Sequence, residues 1–149
     1  MNKRYAITAL IIFFSVSSNS SNLERLVIPE GFEISIFADK LDSPRQLTET
    51  DAGYVIAGSK KGDKIYALQD SDLDGYAENK ILIADGLQNP TGVSFYQGNL
   101  YFAEIDTIWV INNIDDWLNT GSEILPTKTV FMNDLPSETW HGFKYIDFG

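Results

Sequence analysis

Phe37-Ala38-Asp39-Lys40-Leu41-Asp42-Ser43-Pro44 returns 46 positions later as Ile83-Ala84-Asp85-Gly86-Leu87-Gln88-Asn89-Pro90, with Ala, Asp, Leu and Pro identical. A looser third copy, Phe131-Met132-Asn133-Asp134-Leu135, follows 48 residues after the second. Self-similarity at a period of about 20–50 residues marks an architecture of repeated units, each of which buries its apolar face only against its neighbours.

Around the repeat the local pattern is strand beside strand. Phe32-Glu33-Ile34-Ser35-Ile36-Phe37-Ala38 mixes apolar and polar positions with near period two, which predicts a half-buried strand. Tyr54 to Ala57 is apolar throughout, Gly58 to Asp63 supplies a Gly- and Lys-rich turn, and Lys64 to Leu68 follows, so this pair reads as a hairpin. The second copy repeats the arrangement with Leu100 to Ala103, a turn at Glu104 to Asp106, and Ile108 to Ile111. Lys80 to Ala84 and Thr129 to Met132 are further short β-branched or aromatic runs. From Gly92 onward one repeat therefore holds Val93-Ser94-Phe95, Leu100 to Ala103, Ile108 to Ile111 and Thr129 to Met132.

Four-strand units at this spacing predict an all-β fold, specifically a β-propeller whose blades face a central channel. A small β-sandwich complete in itself fits the same turn spacing. The ending favours the propeller: Phe143 to Gly149 opens a strand and a turn that nothing completes, so the expectation is an N-terminal piece of about two and a half blades. One helical turn is expected, at Ile114 to Leu118 on an inter-strand loop, capped by Asn113 or Asp115.

The amino terminus reads differently. Lys3 and Arg4 precede a run from Tyr5 to Val16 that is apolar apart from Thr8 and Ser15, and small polar residues follow to Ser21. This is the pattern of a secretory signal peptide over residues 1–20, cleaved after Ser18 or Ser20; the apolar run is short of the ~20 residues a bilayer span needs. The expected product is exported, to a periplasm or the cell exterior, with a domain over 21–149.

The 149 residues are 44% hydrophobic, enough for a globular core, and carry a net charge of −10. None of the 21 acidic residues lies within the signal segment, so cleavage leaves a more acidic chain still. Such a surface repels phosphate backbones and argues against a nucleic-acid partner. With no cysteine, no disulfide supports the fold.

His141, the one histidine, stands just before the first strand of the third copy, at the position Thr91 holds in the second and Arg45 in the first. Equivalent loops in a propeller open on one channel mouth. Arg45-Gln46, Asn89 to Thr91 and Trp140-His141 are therefore expected to converge on a central site. An imidazole able to take a hydroxyl proton near neutrality, a cation for a carboxylate, and amides or hydroxyls to orient a sugar are the parts of an oxidoreductase pocket. A hydrogen-bonded loop histidine beside a tryptophan is the alternative.

Asp70-Ser71-Asp72-Leu73-Asp74-Gly75 alternates carboxylates and closes on Gly, the pattern that wraps hard oxygen ligands around Ca²⁺. Ile81 stands where an EF-hand needs Glu, which excludes that motif, while Glu78 at the ninth position leaves a shorter structural calcium loop on Asp70, Asp72 and Asp74, or a solvated acidic turn. There is no Gly-rich phosphate loop, no Gly-x-Ser-x-Gly elbow and no paired Cys or His at metal-ligand spacing.

The motif order runs from Pro29-Glu30-Gly31-Phe32 through Pro44-Arg45-Gln46, Lys64 to Leu68, Asp70 to Gly75 and Gly86 to Val93, to His141-Gly142-Phe143-Lys144-Tyr145-Ile146-x-Phe148-Gly149. In this order the chain resembles the soluble glucose/sorbosone dehydrogenase family. That resemblance implies an exported six-bladed propeller that uses pyrroloquinoline quinone (PQQ), held with the help of calcium, to oxidise a sugar or sugar aldehyde and pass electrons to an acceptor. It carries the catalytic base onto His141 and contacts to quinone or substrate onto Arg45 and Gln46. Many members have two adjacent histidines before the Gly where this chain has Trp140-His141. The family's calcium ligands and remaining quinone ligands lie on later blades, so the 149-residue chain alone is expected to be inactive. A non-catalytic exported propeller that binds a carbohydrate or a protein is the second reading.

Overall fold

A computed structural model describes residues 22–149; the signal segment expected over residues 1–20 lies outside them. The chain divides at Ser35 and Ile36. The described part of the first unit holds one 3-10 turn, Asn22–Arg25, and a turn at Gly31, closed by the Phe32 N–H on the Pro29 carbonyl at 3.2 Å. Among the described residues no helix is long and apolar enough to cross a membrane.

The second unit is built almost wholly of antiparallel sheet. β1 (Pro44–Glu49), β2 (Val55–Ser59), β3 (Ile65–Gln69) and β4 (Asn79–Ala84) form a four-stranded meander in chain order. β5 (Gly92–Tyr96), β6 (Asn99–Ala103), β7 (Ile108–Ile111) and β8 (Thr129–Met132) form a second. The tightest link is β5 to β6, where Tyr96 faces Asn99 across Gln97 and Gly98, both at positive φ (47° and 80°). Such a two-residue turn twists with its strands, and Gly takes the left-handed position without steric cost.

The buried residues fall mainly on β2 and β3 of the first sheet and on β5 and β6 of the second, and the two sheets share a core. Ile56, Ala67 and Ile83 of the first sheet form one core with Val93, Leu100, Phe102 and Ile111 of the second. Fully burying a side chain such as Phe102 or Ile56 contributes about 1.5–3 kcal/mol. α1 (Ile114–Thr120), between β7 and β8, adds Ile114 and Leu118, which its i, i+4 spacing sets on one face. Its cap differs from the expected one. Asn113 makes no capping bond with its side chain, and its N–H instead donates to Asn99 Oδ1 at 3.1 Å. The Asp115 carboxylate accepts the N–H of Ala52 at 3.2 Å, tying the helix to the β1–β2 turn.

The first strands of the two sheets, β1 and β5, are neighbours, and the Phe95 N–H donates to Thr48 Oγ1 at 3.1 Å. Close approach at the connections depends on missing side chains. A Cβ on Gly58 would stand 2.6 Å from the Thr91 carbonyl, and one on Gly92 would stand 2.7 Å from that of Lys144. The sequence repeat also persists in the backbone: Lys40 and Gly86 share positive φ (54° and 63°), as do Ser43 and Asn89 (both 50°).

Two strand expectations are corrected. Phe32 to Ala38 forms no strand. Its Phe37 carbonyl accepts the Ala77 N–H at 2.7 Å, a single bond rather than a ladder. Phe143 to Gly149 forms no strand either. It is held instead by side chains: Gln46 pairs with the backbone of Ile146, Ser94 Oγ lies 3.3 Å from Asp147 Oδ1, and Phe148 stacks on Tyr96 at 4.4 Å.

Candidate functional site

β1 pairs with β2 so that Pro44 faces Ser59, which brings the start of β1 beside the β2–β3 turn. The Lys60 N–H donates to the Ser43 carbonyl at 2.9 Å and fixes that turn. The segment before and into the third copy lies across the same end. Arg45, Lys60, Thr139, Trp140, His141, Phe143 and Tyr145 thus line one cleft of about 570 Å³.

Two cations in this cleft rest against aromatic rings. The Arg45 guanidinium donates through Nε to the Tyr145 hydroxyl and lies 5.7 Å from the centre of that ring. Lys60 Nζ lies 5.2 Å from the centre of Phe143. Both are cation–π contacts, which orient a charged group without neutralising it. His141 is exposed, sits at φ 58° and meets Trp140 edge to face at 5.0 Å. Trp140 is 84% exposed, so its indole face is open to a ligand.

Arg45 and His141, singled out in the sequence, therefore meet at one cleft. Gln46 and Thr91 do not join them. Gln46 Nε2 donates to the Ile146 carbonyl at 2.8 Å, and its Oε1 accepts the Ile146 N–H at 3.4 Å, so both ends of the amide are engaged by backbone. Thr91 is fully buried, with its hydroxyl on the Asn89 carbonyl at 3.2 Å. The expected convergence of three loops is corrected to two loops joined by the β2–β3 turn. The second loop turns inward because Gly58 lets it press against β2. Lys60 and Tyr145 went unnoticed in the sequence. The signal for Lys60 was the β2–β3 hairpin itself, whose turn must fall beside the first residues of β1.

The second constellation lies on the loop from β3 to β4. Carboxylate oxygens of Asp70, Asp72, Asp74 and Glu78 all lie within 4.8 Å of one another. Asp70 accepts the N–H groups of Asp74 (3.2 Å) and Gly75 (2.9 Å), and Glu78 accepts the N–H and hydroxyl of Ser71 (3.1 and 3.0 Å). Positive φ at Leu73 (62°) and Gly75 (91°) curls the loop. A shared hydrogen bond with Glu78 holds the Asp72 carboxyl above its ordinary value, helped by lost hydration and the charges of Asp74 and Glu78. Glu78 is held below its own, first by the Ser71 N–H. Four carboxylate oxygens so close match the donor chemistry of a hard divalent cation.

The chain is thus an all-β protein of paired four-stranded meanders with a cationic, aromatic cleft at one end. Residues 18–120 match the family described as "Domain of unknown function (DUF7133)", and the chain belongs to that family. The match spans β1 to α1 and stops before β8, Trp140 and His141. An uncharacterized protein of Borreliella burgdorferi is 24% identical over 115 residues, which cover 76% of this chain. The aligned part spans 28% of that relative's length.

Proposed function

We propose that this chain belongs to an exported, PQQ-dependent oxidoreductase that oxidises a sugar or sugar aldehyde, built as a six-bladed β-propeller of which the two meanders are blades. The observation that carries the reading is the meeting of Arg45 and His141, distant in sequence, at one cleft with an open Trp140 face. The motif order supplies the activity, by its resemblance to soluble glucose/sorbosone dehydrogenases. The neighbouring position of β1 and β5, with the third copy alongside, supports blades set around an axis.

The residues present fit a planar, carboxylated quinone. Arg45 and Lys60 offer cationic donors, the aromatic rings offer flat faces, and among the described residues no carboxylate lines the cleft to oppose an anion. The quinone, when bound, supplies the hydride acceptor. His141 takes the substrate hydroxyl proton on a ring nitrogen, Trp140 stacks on the sugar ring, and Arg45 holds an anionic group through its guanidinium. Gln46 acts at one remove, by fixing the third segment. Calcium at Asp70, Asp72, Asp74 and Glu78 has a structural role, since that loop, from β3 to β4, lies at the opposite end of the sheet from the β2–β3 turn and the cleft.

The test is dye-linked oxidation of sugars by the full-length protein, with PQQ and Ca²⁺ added singly and together. Turnover requiring PQQ and falling about 10²–10⁴-fold in His141→Ala is expected. Unchanged turnover in that variant sinks the role of His141, and the absence of quinone-dependent oxidation with any sugar or sugar aldehyde sinks the reading. The second reading, an exported propeller that binds a carbohydrate without catalysis, draws on the exposure of Trp140, a ready stacking platform. It predicts sugar binding lost in Trp140→Ala and no turnover.

A further inference from the structure

The cleft gathers Arg45 and Lys60 in a chain with 11 basic residues against 21 acidic ones. None of the described residues lining it is acidic. The ion pair found among the described residues, Lys64 with Asp63 at 2.6 Å, lies outside the cleft, and Arg45 and Lys60 face aromatic rings. Neither cation is loosely placed. Arg45 lies on β1 and bonds the Tyr145 hydroxyl, and Lys60 lies on a turn fixed to Ser43. A pair of cations held apart from carboxylates, in a concave site on an acidic molecule, focuses positive potential where an anion can use it.

From this geometry we infer that Lys60 and Arg45 together form a carboxylate-binding site, and that the cleft's ligand is an organic acid. Lys60 is a binding residue for that acid, with its ammonium set by the β2–β3 turn. Guanidinium and ammonium divide the work: the planar fork of Arg45 orients a carboxylate, and the compact charge of Lys60 adds attraction with looser geometry. Thr139 and His141, on the same wall, add a hydroxyl and an imidazole for the ligand's polar groups. The inference shares its cleft with the proposed oxidoreductase and rests on that reading only for the kind of acid. A carboxylated quinone and an acidic sugar carry the same recognised group.

Isothermal titration of the full-length protein with PQQ, glucuronate and neutral glucose separates these sources. At least one acid is expected to bind, and its affinity should fall about 10–100-fold in Lys60→Gln and recover in Lys60→Arg. Raising salt should weaken acid binding and leave glucose binding unchanged. PQQ binding alone identifies the cofactor as the source, and glucuronate binding identifies an acidic substrate. Glucose binding as tightly as glucuronate when PQQ does not bind, no binding of either acid, or unchanged affinity in Lys60→Gln overturns the site. Acid binding that depends on Lys60 in a protein without quinone-dependent oxidation sustains this site and overturns only the redox reading.

Discussion

Gln46 and Ile146 meet through two hydrogen bonds, with the side-chain amide of one serving as a strand partner for the backbone of the other. An amide has the same donor and acceptor as a peptide group, so a single residue can replace one rung of a ladder. This clasp is what sets the third copy, and with it His141, against the end of β1.

Gln46→Ala should therefore cost stability before it costs chemistry. It leaves the half-buried Ile146 N–H and carbonyl without partners, for about 1–3 kcal/mol, visible as a fall of several degrees in the melting temperature. Gln46→Glu should be worse near neutral pH, because a carboxylate oxygen would then face the Ile146 carbonyl. An unchanged melting temperature in both variants would show that the clasp carries no stability.

Gly92→Ala tests the close approach on the other side of the third copy. The added methyl would meet the Lys144 carbonyl at 2.7 Å, so segment or strand must shift, at about 1–3 kcal/mol in urea denaturation. Gly98→Ala has open space around it but a φ of 80°, so its cost of about 1–2 kcal/mol would come from backbone strain alone. Equal and negligible effects would contradict both accounts.

Glu104 joins the β6–β7 turn to the connection between sheets. Its carboxylate accepts the Trp109 indole N–H at 2.6 Å and the Gln88 N–H. Glu104→Ala should lower stability by about 1–3 kcal/mol and shift tryptophan emission as the Trp109 environment changes. An emission spectrum identical to that of the parent protein would count against the contact.

The acidic loop makes a prediction in pH. Glu78 is held below its ordinary value of 4.5, so its stabilising share is present above that value and lost as pH falls through its folded pKa. Asp72 is held above 3.8, so its share runs the other way: present below 3.8 and lost as pH rises through its folded pKa. The two trends oppose each other, and the loop without an ion should contribute a shallow pH dependence. Ca²⁺ needs both carboxylates ionised, so its stabilisation should be full near pH 7 and fade on acidification through the raised pKa of Asp72. Melting curves across pH 3–7 with Ca²⁺ and with chelator check this, and a pH-independent gain from Ca²⁺ would refute it.

How much of this was legible in the sequence depends on which residues carry the signal. Ile56, Ala67, Leu100 and Phe102 announce their strands because they must reach a shared core, and α1 follows from Ile114 and Leu118 in the same way. β1 is polar along most of its length, and its Leu47 is exposed, so hydrophobic patterning has little to read there. Phe32 to Ala38 shows the converse: a strand-like pattern that makes one backbone bond, from the Ala77 N–H to the Phe37 carbonyl, forms no ladder. The cleft was half legible. Arg45 and His141 share a place in the repeat, but Lys60 enters through hairpin register, and Gln46 leaves because its amide bonds the backbone of Ile146.

The matched turns at Lys40 and Gly86, and at Ser43 and Asn89, let the molecule serve as its own template. Where one copy has a residue ill suited to a left-handed backbone, the other has already solved the same problem with Gly or Asn. Transplanting the second copy's choices into the first, as Lys40→Gly and Ser43→Asn, is consensus engineering with an alignment of two sequences drawn from one chain.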